Sequence, residues 1–308
     1  MTSDIAAAAD ALRRGELVIL PTETVYGLAC DASNADAVAR AFEAKGRPRF
    51  NPLIAHVADL EAARAIAVLD ARAERLAEAF WPGPLTIVSP FREGGAVSDL
   101  ARAGLDTVAV RVPAHPLAQA VITLFGGPIA APSANRSGRP SPTTFADAVE
   151  ETGAAAAMAL DGGPSTIGLE STVLSVLDGD IRLLRPGGVP RDAIEALVGP
   201  LAEAEADARR SPGRLARHYA PSVPLRLDAM TALPGEAYLA FGPGEPEDVE
   251  VWNLSAAGDL REAAANLFAH LRAADRAGMA AIAVAPIPDE GLGEAINDRL
   301  RRAAGFVG

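Results

Sequence analysis

Short apolar runs, each broken by proline, glycine or a polar cluster, alternate with helix-period segments along the first two thirds of this chain. That rhythm restricts it to a mixed α/β fold. Leu17-Val18-Ile19-Leu20 reads as a buried strand ending at Pro21, and Ala35–Ala44 as a helix with Asn34 as its N-cap. Strands are expected at Pro52–Val57, Leu85–Ser89, Thr107–Val112, Pro128–Ala131, Ala156–Leu160, Ser171–Leu177 and Ile181–Leu184. Helices are expected at Leu69–Phe80, stopped by Trp81-Pro82-Gly83, and at His115–Phe125 and Thr143–Glu151. Asp178-Gly179 between the last two strands is a hairpin signal, so at least one strand pair is antiparallel.

The pattern changes character around Ala202–Ser222, where Ser211-Pro212-Gly213 and His218-Tyr219-Ala220-Pro221 read as an inter-domain segment. Beyond it, strands at Leu225–Leu227, Ala237–Phe241, Val249–Leu254 and Ala281–Ala285, with helices at Asp259–Ala277 and Leu292–Ala304, make a small α/β layer. The expected division is a large unit at 1–205, a linker at 206–222 and a small unit at 223–308, in keeping with about 100–200 residues per domain.

Composition excludes several classes of function. The net charge of −12 argues against a global electrostatic grip on nucleic acid, although a local basic groove stays open. Cys30 is the single cysteine, which excludes an intramolecular disulfide and a multi-cysteine metal site; it reads as an inert buried thiol. No apolar run approaches the ~18 residues of a membrane helix, and Asp4, Asp10 and the Arg13-Arg14 pair do not make a signal peptide. The expected compartment is the cytoplasm. Among the cations, Lys45 is the only lysine. An otherwise all-arginine chain that keeps one lysine points to a place where a compact point charge is required.

Common nucleotide and hydrolase signatures are missing. Lys45 lies between Ala44 and Gly46, so there is no Walker A loop; there is no complete G-x-G-x-x-G and no G-x-S-x-G elbow. The four histidines are scattered. Four polar segments remain. Pro21-Thr22-Glu23-Thr24-Val25-Tyr26-Gly27-Leu28 follows a buried strand, where ligand sites of α/β sheets gather. Lys45-Gly46-Arg47-Pro48-Arg49-Phe50-Asn51-Pro52 packs three cations into a proline-stiffened loop, which suits an anion or a helix C-terminus. Pro132 to Thr143 offers hydroxyl, amide and backbone donors just before a helix. The fourth is dispersed: Arg111 inside a β run, Ser171-Thr172 opening another, and Arg185-Pro186-Gly187-Gly188 closing one.

Taken in order, these segments resemble the YrdC-like family in its two-domain, threonylcarbamoyl-AMP synthase form. The resemblance rests on Pro21–Leu28, Lys45-x-Arg47-Pro48 with Asn51-Pro52-Leu53, Pro132-Ser133-Ala134-Asn135 with Ser137-Gly138, Gly168-Leu169-Glu170-Ser171-Thr172-Val173, Arg185-Pro186-Gly187 and the His218-Tyr219 linker. Leu215 and Ala216 stand where the family often has lysine and tyrosine, and Leu28-Ala29-Cys30 replaces a smaller ending.

The resemblance implies a twisted, open, mixed sheet with helices and a large concave groove, plus a small Rossmann-like C-terminal α/β domain. It implies formation of L-threonylcarbamoyl-AMP from L-threonine, bicarbonate or carbon dioxide, and ATP with Mg²⁺, releasing pyrophosphate. Downstream machinery would pass the group to a tRNA adenosine, tRNA itself being held weakly at most. The implied ATP groups are Lys45, Arg47, Asn51, Thr107, Ser133, Asn135, Ser141, Arg185 and Tyr219, with Lys45 and Arg47 catalytic. The implied threonine pocket is Thr24, His56, Arg111, Ala131 and Ser171, and His218-Tyr219 would be a lid. The metal would ride on the ATP phosphates, and no residue stands out as a general base. Two other readings compete: an RNA-binding module, disfavoured by charge and by the lack of an aromatic platform, and a hydrogenase-maturation carbamoyl transferase, whose zinc fingers one cysteine cannot supply.

Overall fold

The computed structural model describes residues 2–202, 218–244 and 249–305. Helix α1 (Thr2–Arg13) leads into β1 (Val18–Leu20), which is wholly buried. Strand β2 (Gly27–Asp31) runs back antiparallel to it, with Val18 opposite Ala29. The sequence pattern did not announce β2, because the turn-forming residues just before it hide its start. Helix α2 (Ala35–Lys45) begins as expected: the Asn34 side chain accepts from the N–H groups of Asp36 and Ala37. It ends at Gly46, whose φ of 58° lies in the left-handed region that closes helices.

The large unit continues through β3 (Ile54–His56), α3 (Leu60–Ile66), α4 (Ala71–Phe80), β4 (Leu85–Pro90), β5 (Thr107–Arg111), α5 (Pro116–Phe125) and β6 (Ile129–Ala130). It closes with α6 (Phe145–Thr152), β7 (Met158–Ala159), β8 (Thr172–Leu177), β9 (Asp180–Arg185) and α7 (Arg191–Val198). Two short helices, α3 and α7, went unforeseen. A 3-10 turn at Gly153–Ala155 shortens the strand expected from Ala156. Nine strands form one mixed sheet in the order β7-β1-β2-β6-β3-β5-β4-β8-β9, and β8 and β9 are the expected antiparallel hairpin.

The second unit holds β10 (Leu225–Arg226), β11 (Glu236–Ala240), β12 (Val251–Asn253), α8 (Leu260–Arg276), β13 (Ala281–Val284) and α9 (Gly293–Ala303). Its four strands are all parallel, in the order β10-β13-β11-β12. No helix among the described residues is long and apolar enough to cross a membrane.

The two units share a core. Val25 and Leu169 of the first pack in one cluster with Leu239, Leu267 and Phe268 of the second. Arg272 and Arg276 of α8 reach Glu151 (3.0 Å) and Asp147 (2.6 Å) on α6. At Gly168, φ is +73°, and an added Cβ would lie 2.4 Å from the Ala264 carbonyl oxygen of α8. Replacing Gly168 by alanine therefore strains the backbone and forces the units apart. A loss of about 2 kcal/mol is expected, measured by urea unfolding of the full-length protein.

Candidate active site

Neighbouring strands carry the predicted threonine-pocket residues to one end of the sheet. In the parallel pair β3 and β5, His56 stands opposite Arg111. Next along the sheet, β4 places Thr86 within 2.7 Å of Ser171, oxygen to oxygen, at the start of β8. Arg185, at the end of β9, donates through Nη2 to the Ser171 carbonyl at 2.8 Å. Residues far apart in sequence thus form one row across β3-β5-β4-β8-β9, at a sheet end of the kind where α/β ligands bind.

Three loops wall that row into a cavity. Its lining includes Thr24, Arg47, His56, Arg111, Ala131 and Ser133, together with Glu170, Ser171, Arg185, His218 and Tyr219. Ten of the predicted site residues therefore line one hollow. Its free internal volume is about 60 Å³, whereas a small-molecule pocket usually has about 300–1,000 Å³. His218 and Tyr219 help to fill it, at 6% and 1% exposure. Tyr219 adopts a left-handed backbone (φ 62°), a strain of about 1–2 kcal/mol that surrounding contacts must hold. The Ala220 N–H donates to the Gly138 carbonyl at 2.8 Å. The tyrosine ring packs 5.5 Å from Phe268. Of the expected linker, 206–217 lie outside the described residues.

The remaining predicted residues sit behind the lining. Lys45 is 2% exposed, and its ammonium donates to the backbone carbonyls of Ser133 and Asn135. Lys45, expected at the ATP phosphates, here clamps the loop that carries Ser133. Burial, and then the Arg47 charge, push its pKa well below the usual lysine range. Asn51 and Thr107 are buried, neither lining the cavity. Asn135 donates to the carbonyls of Arg136 and Arg139, and its buried Oδ1 has no partner. Ser141 donates to Glu170 at 2.5 Å.

Two glutamates were overlooked as site residues, although both lie in motifs singled out above. Glu23 accepts from Arg111 Nη2 at 2.6 Å and from the Ala114 N–H at 3.0 Å. Burial pushes its carboxyl up, but the Arg111 charge and these hydrogen bonds outweigh that and hold it below its ordinary value. Arg111 Nε also donates to the Gly83 carbonyl. The guanidinium is thus fixed along one edge, which orients it for a carboxylate. Glu170 is the other, and its pKa is about 2. Burial raises it, but the charges of Arg299 and Arg185 and the hydrogen bonds from Ser141 and Arg299 lower it further. A carboxylate this acidic is a poor base at neutral pH.

Two histidines of the cavity, His56 and His218, are neutral. Burial, and then the Arg111 charge, push His56 down to about 3. Its Nδ1 lies 3.1 Å from the Ile54 carbonyl, so the proton belongs on Nδ1 and Nε2 is left as an acceptor. Burial also brings His218 to about 3, with Arg47 and Lys45 adding to the shift. Cys30 is buried, and its thiol is pushed up to about 12 by burial, as an inert thiol should be. Among the described residues no cluster of three histidine, cysteine or carboxylate groups could hold a metal ion.

Comparison with known proteins agrees with this geometry. Residues 10–187 match the family model described as Telomere recombination, and 189–305 match Threonylcarbamoyl-AMP synthase, C-terminal domain. A threonylcarbamoyl-AMP synthase of Pyrococcus abyssi is 42% identical, covering 97% of this chain and 93% of its own.

The chain belongs to the threonylcarbamoyl-AMP synthase family. A second family member, from Bacillus subtilis, is 41% identical over 98% of this chain and 93% of its own. A crystal structure of P. abyssi Sua5 complexed with L-threonine superposes with a TM-score of 0.91 at 41% identity, covering 98% of this chain and 94% of that one. The likeness to HypF, at 24% identity and a TM-score of 0.52 over 60% of this chain, is one of fold alone.

The neutral histidines carry a stability signature. Unfolded, each gains a proton below about pH 6.5; folded, each stays neutral down to about 3. Their contribution is complete above pH 6.5 and is lost as the pH falls through this window, at about 1.4 kcal/mol per pH unit for each. Urea-unfolding free energies should fall between pH 6.5 and 5, and His56→Gln should remove one proton's share of that slope.

Proposed function

We propose that this chain makes L-threonylcarbamoyl-AMP from L-threonine, bicarbonate or carbon dioxide, and ATP. The observation that carries the reading is a single hollow lined both by a braced carboxylate receptor, Arg111 on Glu23, and by the phosphate-type cations Arg47 and Arg185. In this reading Arg111 takes the threonine carboxylate, while Thr24, His56 Nε2, Ser171 and the backbone at Ala131 hold its amine and hydroxyl. Arg47, Ser133, Arg185 and Tyr219 meet the nucleotide, supported from behind by Lys45, Asn51, Asn135 and Ser141, with Thr107 at the far end.

The threonine amine adds to the carbon of bicarbonate, with loss of water, to give a carbamate. A carbamate oxygen then attacks the α-phosphorus of ATP, and pyrophosphate leaves with the bonding electron pair. His56, His218 and Glu170 all lie far from the neutral-range pKa of a general base, so these groups contribute by positioning and charge stabilisation. Mg²⁺ fits as an ion bound by the triphosphate, neutralising its charge, since the lining supplies no acidic ligand set of its own. The small cavity volume supports a lid role for His218 and Tyr219: they must swing out for ATP to enter, and their return shields the water-labile adenylate.

We take 1–205 as the catalytic unit, 206–222 as the linker and 223–308 as the small unit. We assign the product to downstream tRNA threonylcarbamoyl transfer in the cytoplasm.

Pyrophosphate release, measured while threonine and bicarbonate are omitted in turn, tests the reading. Release should require both, and release indifferent to either omission overturns it. Arg111→Lys should raise the KM for threonine roughly tenfold or more, because an ammonium cannot make the two-pronged contact, with the KM for ATP little changed. Lys45→Arg should lower kcat/KM at least tenfold, since a guanidinium does not fit between the Ser133 and Asn135 carbonyls. Wild-type turnover in that variant would show that any cation serves there.

A further inference from the structure

The second unit reaches the candidate site through helix α9. Arg299 on that helix is 1% exposed and heads the fully buried side chains by volume. Its Nε donates to Glu170 at 2.8 Å, and its Nη1 reaches Asp298 at 2.7 Å. Its guanidinium carbon lies 5.2 Å from the centre of the Tyr219 ring. The other Glu170 oxygen accepts from Ser141. Arg299 does not line the cavity, but Glu170 and Tyr219 both do. One turn on, the Arg302 carbonyl accepts from the His218 N–H at 3.3 Å. A single helix face thus touches the cavity's one lining carboxylate and both residues of the proposed lid.

Docking alone does not account for this contact. The units are already joined by their shared core, by Arg272 and Arg276 on α6, and by the exposed pair of Arg191 with Glu294. None of those ion pairs involves a cavity-lining residue. A buried guanidinium is also a costly way to fill space, since an apolar side chain of similar volume often packs as well or better.

We propose that Arg299 is a positioning residue of the active site, fixing Glu170 and Tyr219 from the second unit so that the nucleotide end of the cavity is complete only when that unit is docked. This rests on the synthase reading above. Glu170 is faced by Arg299 from α9, itself paired with Asp298, by Arg185 from β9, Lys45 from α2, His218 and Tyr219 from the proposed lid, and Ser141. Removing Arg299 takes away the cation that acts most strongly on Glu170 while burial persists. Glu170 then holds its proton to higher pH and releases Ser141 and the tyrosine from their fixed places.

The test uses full-length protein: wild type, Arg299→Met, Arg299→Lys and, as a docking control, Arg191→Met. Threonine-dependent pyrophosphate release at neutral pH gives kcat and the KM values for ATP and threonine, with thermal unfolding alongside. Arg299→Met should lose roughly tenfold to a hundredfold in kcat/KM for ATP, with the KM for threonine little changed. Arg299→Lys should recover part of the loss, and Arg191→Met should match wild type. Arg299→Met with wild-type constants, or with kcat lost only in proportion to folded protein and an unchanged KM for ATP, overturns the proposal. Should Arg299→Met not fold, Arg299→Lys decides, because its wild-type KM for ATP would overturn it equally. Wild-type protein lacking threonine-dependent release would instead overturn the synthase reading, and this inference with it.

Discussion

Arginine cannot be taken out of water without a partner, and this structure depends on meeting that demand repeatedly. Arg111 finds Glu23, Arg272 finds Glu151 and Arg299 finds Glu170, each within 3.0 Å and with both side chains nearly sealed from solvent. Removing one partner from such a pair is expensive, about 3–5 kcal/mol, because the other is left charged and buried. The pairs therefore act as fixed points. One braces the carboxylate receptor, one ties the units together, and one links the second unit to the cavity wall.

Fixed charges also set the protonation of everything nearby. Burial, aided by Arg111 at one and by Arg47 and Lys45 at the other, keeps His56 and His218 neutral, while Arg299 and Arg185 keep Glu170 ionised. The cavity therefore holds its charge pattern constant over the neutral range. A reaction whose substrates bring their own nucleophile and leaving group needs such a frame more than it needs a proton shuttle.

Much of the site was legible in the sequence because its cations and hydroxyls fall in dense, proline-bounded segments. Arg47 could be singled out that way, and Arg111, Ser171 and Arg185 as polar groups in or beside β runs; all four line the cavity. Glu23 and Glu170 could not, although they stand in the same segments. A glutamate's task as a brace is defined only by an arginine 88 or 129 residues away, and no local periodicity records that distance. Lys45 was recognised by its rarity, but rarity does not say which way an ammonium points. In the fold, long amphipathic helices and buried strands were visible, whereas β2, α3 and α7 were too short or too masked by turn residues. The α3 start did carry a signal in Asp59, whose side chain caps the Ala62 N–H.

The solitary Lys45 has a practical side. With its amine sealed beneath the Ser133–Asn135 loop, the chain presents no lysine to solvent for acylating reagents, cross-linkers or enzymes that modify ε-amino groups. Any label that appears at this position must have arrived while the loop was lifted, so the speed of its incorporation times the breathing of the cavity floor.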